Sequence, residues 1–301
     1  MPSLKDIRKK ISSTKNTQQI TKAMKMVSAA KLRRSQNAIV NARPYAYKLH
    51  SVISRLAATG EFTHPLMSKV EVPKKLLMVV LTSDRGLCGA FNSNIIKYSE
   101  RFFREQLTNY QEIKFIFVGR KGAEHFKRRN ISGVETITNL ANDIKYSIAA
   151  QLADTIMNEY TSGSYDEVIL VYNEFKSAMN QKVIAEKILP IQALREDETV
   201  NAQKNDIQES GDFALAMNYI FEPGADEILK QLLPKHFAIQ VYRAMLESIA
   251  GEHGARMSAM ESATKNAGQM IRKLTLTYNK LRQAAITREL VEIVSGAEAL
   301  K

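Results

Sequence analysis

Between Lys74 and about Ile191 the chain alternates short apolar runs with amphipathic stretches. LLMVVLT (76–82), IKFIFVG (113–119) and EVILVYN (167–173) are continuous apolar runs of strand length, the pattern of strands covered on both faces of a sheet. Amphipathic segments at about 90–108, 120–129 and 142–161 lie between them. The order strand, helix, strand, helix, helix, strand predicts a parallel α/β sheet. QKVIAEKILPI (181–191) follows a short polar connection and predicts an antiparallel edge strand ended by Pro190. Residues 195–212 are polar, an expected exposed loop, and NYIFEP (218–223) is an expected short strand.

The two ends carry a longer period. No proline follows Pro234, and stepping alternately by three and four from Ile239 reaches Tyr242, Leu246, Ile249, His253, Arg256, Met260, Ala263, Ala267, Met270, Leu274, Thr277, Leu281, Ala284, Arg288 and Val291. Twelve of those sixteen positions are apolar or Tyr, which predicts a coiled-coil seam held over eight heptads. A helix from about 236 to 294 would be roughly 90 Å long, more than a domain of this size encloses, so it must project. The first 59 residues hold no glycine and are rich in Lys, Ala, Met, Leu and Gln, all good helix formers. They predict one long helix from about Ser3, whose hydroxyl can serve as N-cap, to about Ala58, bent at Pro44. Each long helix is the other's expected antiparallel partner, with Ala263, Ala267 and Ala284 allowing close approach. His253, Arg256 and Arg288 break the seam with charge and predict places where the pair touches something else. With EFTHPLMSKVEVP (61–73) as linker, the expected division is 1–59, an N-terminal coiled-coil helix; 74–223, a central α/β domain including the polar loop 195–212; and 224–301, a C-terminal coiled-coil helix.

Composition narrows the class. With 45% hydrophobic and 25% charged residues the chain is neither disordered nor collagen-like. Its formal charge is +12, and residues 1–35, with ten basic side chains and one acid, hold +9 of it. Such a field points to an acidic partner. Residues 1–44 contain no Phe or Trp and no Tyr, so the aromatic platform expected for a single-stranded nucleic acid is missing. One cysteine, Cys88, excludes an intramolecular disulfide framework and fits a reducing compartment. The longest apolar run, Leu76–Leu81, is six residues, far short of the ~20 that span a bilayer. The amino terminus has no apolar signal core, so secretion is not expected.

Candidate chemistry is sparse. There is no Gly-Lys dipeptide and no Gly-x-Gly, hence no Walker-type loop and no dinucleotide fingerprint. SDRGLCGAFNSN (83–94) places Gly86 and Gly89 before a helix, a weak phosphate-loop signal that a tight turn explains as well. Cys88 reads as a small buried thiol, without a His or Asn pattern to make it a nucleophile. His50, His64, His125, His236 and His253 lack metal-ligand spacing, and the acids Asp143 with Glu159, or Glu196 with Asp197, sit where acids are usually solvated. A nucleotide-dependent enzyme and a nucleic-acid-binding coiled coil remain the alternative classes, the first needing a phosphate site at 83–94 and the second a steep salt dependence.

Three separated segments, IRKKISSTKNTQQITKAMKMVSAAKLRRSQ (7–36), LTSDRGLCGAFN (81–92) and ITRELVEIVSGAEA (286–299), occur in the order in which they stand in the γ subunits of F-type ATP synthases. The last segment fits that family's signature at Ile286, Thr287, Glu289, Glu292, Gly296, Ala297 and Ala299. The chain resembles this family over nearly its whole length. The resemblance implies an α/β fold class, a long antiparallel coiled coil of the terminal helices plus a central Rossmann-like α/β domain. It implies a rotor shaft without a catalytic site, cofactor or metal, coupling proton flow to chemistry done elsewhere. The implied partners are the alpha and beta subunits of the catalytic hexamer, the epsilon subunit and the c-subunit ring, with no nucleic acid and no direct membrane insertion. Carried over by position, Met24 corresponds to a methionine near the acidic lever loop of the catalytic subunit, and Arg85 and Lys97 lie in a region approaching that loop. Arg282 and Gln283 correspond to residues that hydrogen-bond catalytic-subunit loops, with Thr287 and Glu289 beside them. Glu222, in YIFEP, corresponds to the foot contact with the c ring, where Phe221 departs from relatives with Tyr. The chloroplast-type regulatory dithiol is missing, and the amino terminus favours a bacterial enzyme, peripheral on the cytoplasmic face of the plasma membrane.

Overall fold

The computed structural model describes residues 3–58, 64–68, 70–138, 145–177, 180–191 and 224–298. Helix α1, Leu4–Ala58, is followed by a 3-10 turn at Pro65–Met67 and strand β1, Lys75–Leu81. Then come α2 (Phe91–Gln106), β2 (Glu112–Val118), α3 (Arg120–Lys127), β3 (Glu135–Ile137), α4 (Tyr146–Thr161), β4 (Glu167–Phe175), β5 (Gln181–Leu189) and α5 (Ala225–Glu298). The predicted strands and helices are present at nearly the expected positions. The short β3 was not anticipated, because three residues are too few to show a period. The expected loop 195–212 and strand 218–223 lie outside the described residues, as do Asp143, Glu196, Asp197 and Glu222.

The sheet runs β3-β2-β1-β4-β5, the first four strands parallel and β5 antiparallel to β4 at the edge. Alternation along β1 sorts its side chains into two cores. Leu77, Val79 and Leu81 pack with Leu170, Tyr172, α4 and α5, whereas Leu76, Met78 and Val80 pack with Phe115, Phe117, α2 and Phe126 of α3. Both faces are therefore covered, which is why the strands read as continuous apolar runs.

The carboxyl-terminal helix departs from expectation at its start. It begins at Ala225 and runs through Pro234 instead of starting after it. A proline inside a helix costs about 3 kcal/mol. Leu229, Leu233 and Phe237 are almost fully buried against the sheet, and each such side chain stabilises by about 2 kcal/mol, so their burial outweighs the proline. The expected boundary at 223/224 is followed at once by residues of the α/β core, because α5 supplies a layer of that core before it leaves as the shaft. Helix α1 likewise continues through Pro44, and its Leu49 and Ile53 join the same core.

Beyond the domain α1 and α5 run antiparallel. Along α5 the seam follows the expected positions to Ala267, with Leu246, His253, Arg256, Met260 and Ala267 buried, and then slips. Met270 is 56% exposed and Thr277 and Ala284 are exposed, while the neighbouring Ile271, Tyr278 and Ala285 are half-buried. An α-helix drifts about 20° per heptad against a strict 3.5-residue repeat. Four heptads from Ile239 accumulate about 80°, close to the ~100° between successive residues, so alternate seam positions pass from 270, 277 and 284 to 271, 278 and 285, while Leu274 and Leu281 stay half-buried where expected.

Candidate partner interfaces

In an open α/β sheet, ligands usually bind beyond the carboxyl ends of the strands where strand order reverses. Here the reversal lies between β1 and β4, and that place is filled by protein. The loop from Thr82 to Ala90 folds on itself: Ser83 Oγ donates to the Arg85 carbonyl at 2.6 Å, the Ser83 amide to Asn92 Oδ1 at 2.9 Å, and Asn92 Nδ2 to Cys88 Sγ at 3.2 Å. Cys88 is buried, as its composition-level reading expects. Gly89 has φ +57°, and a Cβ there would lie 3.7 Å from Ala259 Cβ, so the loop lies directly against α5. Gln181 Nε2 of β5 donates to the Gly251 carbonyl at 2.8 Å, fastening the same stretch of α5 to the sheet.

Three polar residues of α5 are enclosed at this junction. Glu252, His253 and Arg256 are 6%, 5% and 9% exposed. Arg256 Nη2 pairs with Glu252 Oε1 at 2.7 Å and donates to the carbonyls of Arg85 at 3.5 Å and Gly86 at 3.2 Å. The break at Arg256 thus marks a contact with a third element, as the sequence pattern implied, while His253 stands beside Arg256 on the same helix. Burial, and then the cations Arg256 and Lys31, lower the His253 pKa to about 4, so its ring is neutral at pH 7. Burial raises the Glu252 pKa while Arg256 pulls against it, leaving it above the ordinary carboxylate value. Sequence reasoning did not single out Glu252, and its spacing four residues before Arg256 was the available signal.

Farther out the shaft becomes polar and then single. Thr264 Oγ1 donates to Thr21 Oγ1 at 2.8 Å, Gln18 Nε2 approaches the Thr264 carbonyl at 3.5 Å, and Lys25 pairs with Glu261 at 2.7 Å. This register places Leu4 level with about Leu281. From there α5 continues to Glu298 without α1, a run of roughly 25 Å. The expectation of a seam to Val291 is therefore corrected: Val291 is 57% exposed and Arg288 is exposed, because the partner helix has ended. On this projecting turn Ile286, Leu290 and Ile293 are 49%, 57% and 68% exposed, and their spacing sets them on one face. Residues 257–285 carry five basic side chains and one acid, so with the +9 of residues 1–35 the two paired segments hold all of the chain's net positive charge.

Arg282, Gln283, Thr287 and Glu289 are exposed on the projecting end and flank the apolar face, Arg282 one turn before Ile286. Met24 is half-buried at the shoulder of the seam; Arg85 and Lys97 are exposed at the neck, on the β1–α2 loop and on α2. The tip and neck residues stand at opposite ends of the shaft and form no single site. Among the described residues no cluster of His, Cys, Asp or Glu is placed to hold a metal ion, and no helix is long and apolar enough to cross a membrane.

A family model described as ATP synthase matches residues 3–300. The ATP synthase gamma chains of Bdellovibrio bacteriovorus and Trichlorobacter lovleyi are 59% and 48% identical to this chain, each alignment covering 100% of both sequences. Among solved structures, a chain of the Tetrahymena thermophila mitochondrial ATP synthase central stalk/c-ring shares 29% identity with a TM-score of 0.57, covering 81% of this chain and 99% of its own. A chain of the Euglena gracilis mitochondrial ATP synthase rotor, 24% identical, has the same fold with a TM-score of 0.63 over 94% of this chain and 98% of its own.

Proposed function

The chain belongs to the ATP synthase family as one of its gamma chains, and on that premise we propose which of its surfaces carry the coupling. It is the central-stalk subunit of the rotor and has no catalytic site of its own; the catalytic sites of the enzyme lie in the beta subunits. Its partners are the alpha and beta subunits, the epsilon subunit and the c ring, and it is a peripheral component of the assembly. Rotation works by differential contact: an asymmetric shaft offers each catalytic subunit a different surface, and a contact stronger with one conformation shifts that subunit's population toward it.

In our contact map, Arg282, Gln283, Thr287 and Glu289 meet loops of the catalytic head. Met24 on the shaft, with Arg85 and Lys97 at the neck, faces the acidic lever loop of a beta subunit, and Glu222 meets the c ring. The observation that carries the map is the unpaired end of α5, whose apolar face is rimmed by those four polar residues: an exposed stripe on a helix without its partner needs a surrounding protein to cover it. Concentration of the positive charge on the shaft supports acidic loops around it. The bacterial relatives support placing the enzyme on the cytoplasmic face of a bacterial plasma membrane.

Arg282→Leu tests the map in the assembled enzyme. Removing one partner of a desolvated charge pair costs about 2–5 kcal/mol, so ATP-driven proton pumping in membrane vesicles falls while the helix content of the purified chain is unchanged. Pumping at the wild-type level removes Arg282 from the map.

A further inference from the structure

We propose that Arg256 is a positioning residue of the rotor, locking the β1–α2 loop to α5 so that load on the exposed tip Arg85–Leu87 passes directly into the shaft. The proposal rests on the reading of Arg85 as a partner contact. Three observations carry it. The tip is built to be touched: Leu87 is 65% exposed at φ +65°, a backbone conformation unfavourable for an L side chain, and a Cβ added at Gly86 would meet nothing within 4 Å. An apolar side chain held outward on strained backbone marks a contact point better than a solvated turn does.

The base of the loop is braced on the sheet side, through Ser83 with Asn92 and through Asp84 Oδ1, which accepts from the Arg120 amide at 3.0 Å. On the shaft side the Arg85 and Gly86 carbonyls accept from Arg256. The guanidinium is itself held in place, because Glu252 pairs with it and the His253 ring stands 3.5 Å from Nη1. Nη2 meets Glu252 and both carbonyls while Nη1 faces His253, so the two nitrogens of one rigid plane serve the loop and the helix together; a lysine, one bond shorter and ending in a single nitrogen, does not serve both sides.

Two measurements on Arg256→Lys, which keeps a cation beside Glu252, decide the matter. In the purified full-length chain, amide hydrogen exchange over residues 85–90 accelerates about tenfold while the strands exchange as before, the effect of losing a charge-assisted hydrogen bond from one local unit. In the assembled enzyme the ratio of ATP-driven proton pumping to ATP hydrolysis drops at least about twofold, and Leu87→Gly, which leaves the lock intact, lowers the same ratio. Combining the two substitutions lowers it no further, since both act through one contact. Unchanged exchange over 85–90 overturns the lock, whatever the vesicles show. Faster exchange with an unchanged ratio in Arg256→Lys overturns its role in coupling. If Arg256→Lys lowers the ratio while Leu87→Gly and Arg85→Ala do not, the tip is not the contact: the reading of Arg85 fails, and transmission through the tip fails with it.

Discussion

Lowering the pH from 7 to 5 should weaken the junction at His253 by an amount the structure fixes. The imidazole is enclosed beside two cations, Arg256 and Lys31, and titrates in the folded chain at about 4 against 6.5 when free. A base whose folded pKa is depressed binds fewer protons folded than unfolded, so its contribution is fully present above 6.5 and is lost as pH falls toward 4. At pH 5 the single-proton relation gives a loss of about 2 kcal/mol, and close to 0.2 kcal/mol at pH 7. Glu252 acts in the opposite sense, because its raised folded pKa favours the folded state more at the acid end, so the pH profile of the chain alone mixes the two. His253→Gln, neutral and hydrogen-bonding at every pH, separates them. Urea unfolding of wild type and variant at pH 7, 6 and 5 should show wild type losing about 2 kcal/mol relative to the variant over this range. A stability gap that stays constant with pH, or an imidazole proton resonance titrating above pH 6 in the folded chain, would refute the reasoning.

Phe237→Ala should destabilise the α/β domain by about 3–5 kcal/mol in urea, since the ring is wholly buried in the core that α5 shares with the sheet; a change under 1 kcal/mol would mean that α5 does not belong to that core. Gly119→Ala should cost about 3 kcal/mol or more by the same assay, because φ is +100° and the added Cβ would lie 2.2 Å from the Thr82 carbonyl oxygen. Met24→Lys should leave ATP hydrolysis largely intact and lower proton pumping on the same vesicles, a trap of about 1–3 kcal/mol where a cation meets the acidic lever loop. Equal pumping-to-hydrolysis ratios in variant and wild type would return Met24 to an ordinary helix position.

Much was decided within short stretches of chain. The apolar runs at 76–82, 113–119 and 167–173 specify strands buried on both faces, and the proline-free, heptad-patterned carboxyl end specifies a helix too long to be enclosed, because both signals arise from neighbours a few residues apart. The motifs at 7–36, 81–92 and 286–299 indicated the family without any structure. Three matters depended on parts of the chain far apart in sequence. The start of α5 ahead of Pro234 is set by how much of Leu229, Leu233 and Phe237 the sheet can cover, which no local rule against proline contains. The end of the paired shaft near Leu281 is set by where α1 begins, so Leu274 and Leu281 are half-buried while Arg288 and Val291, farther along the same heptad spacing, are exposed. The purpose of Arg256 was the least legible: the heptad pattern marks it as a misfit in a seam, and only the tertiary approach of the β1–α2 loop shows which carbonyls its guanidinium serves. Hydrogen bonds between elements depend on their relative placement, and that placement is a property of the packed molecule as a whole.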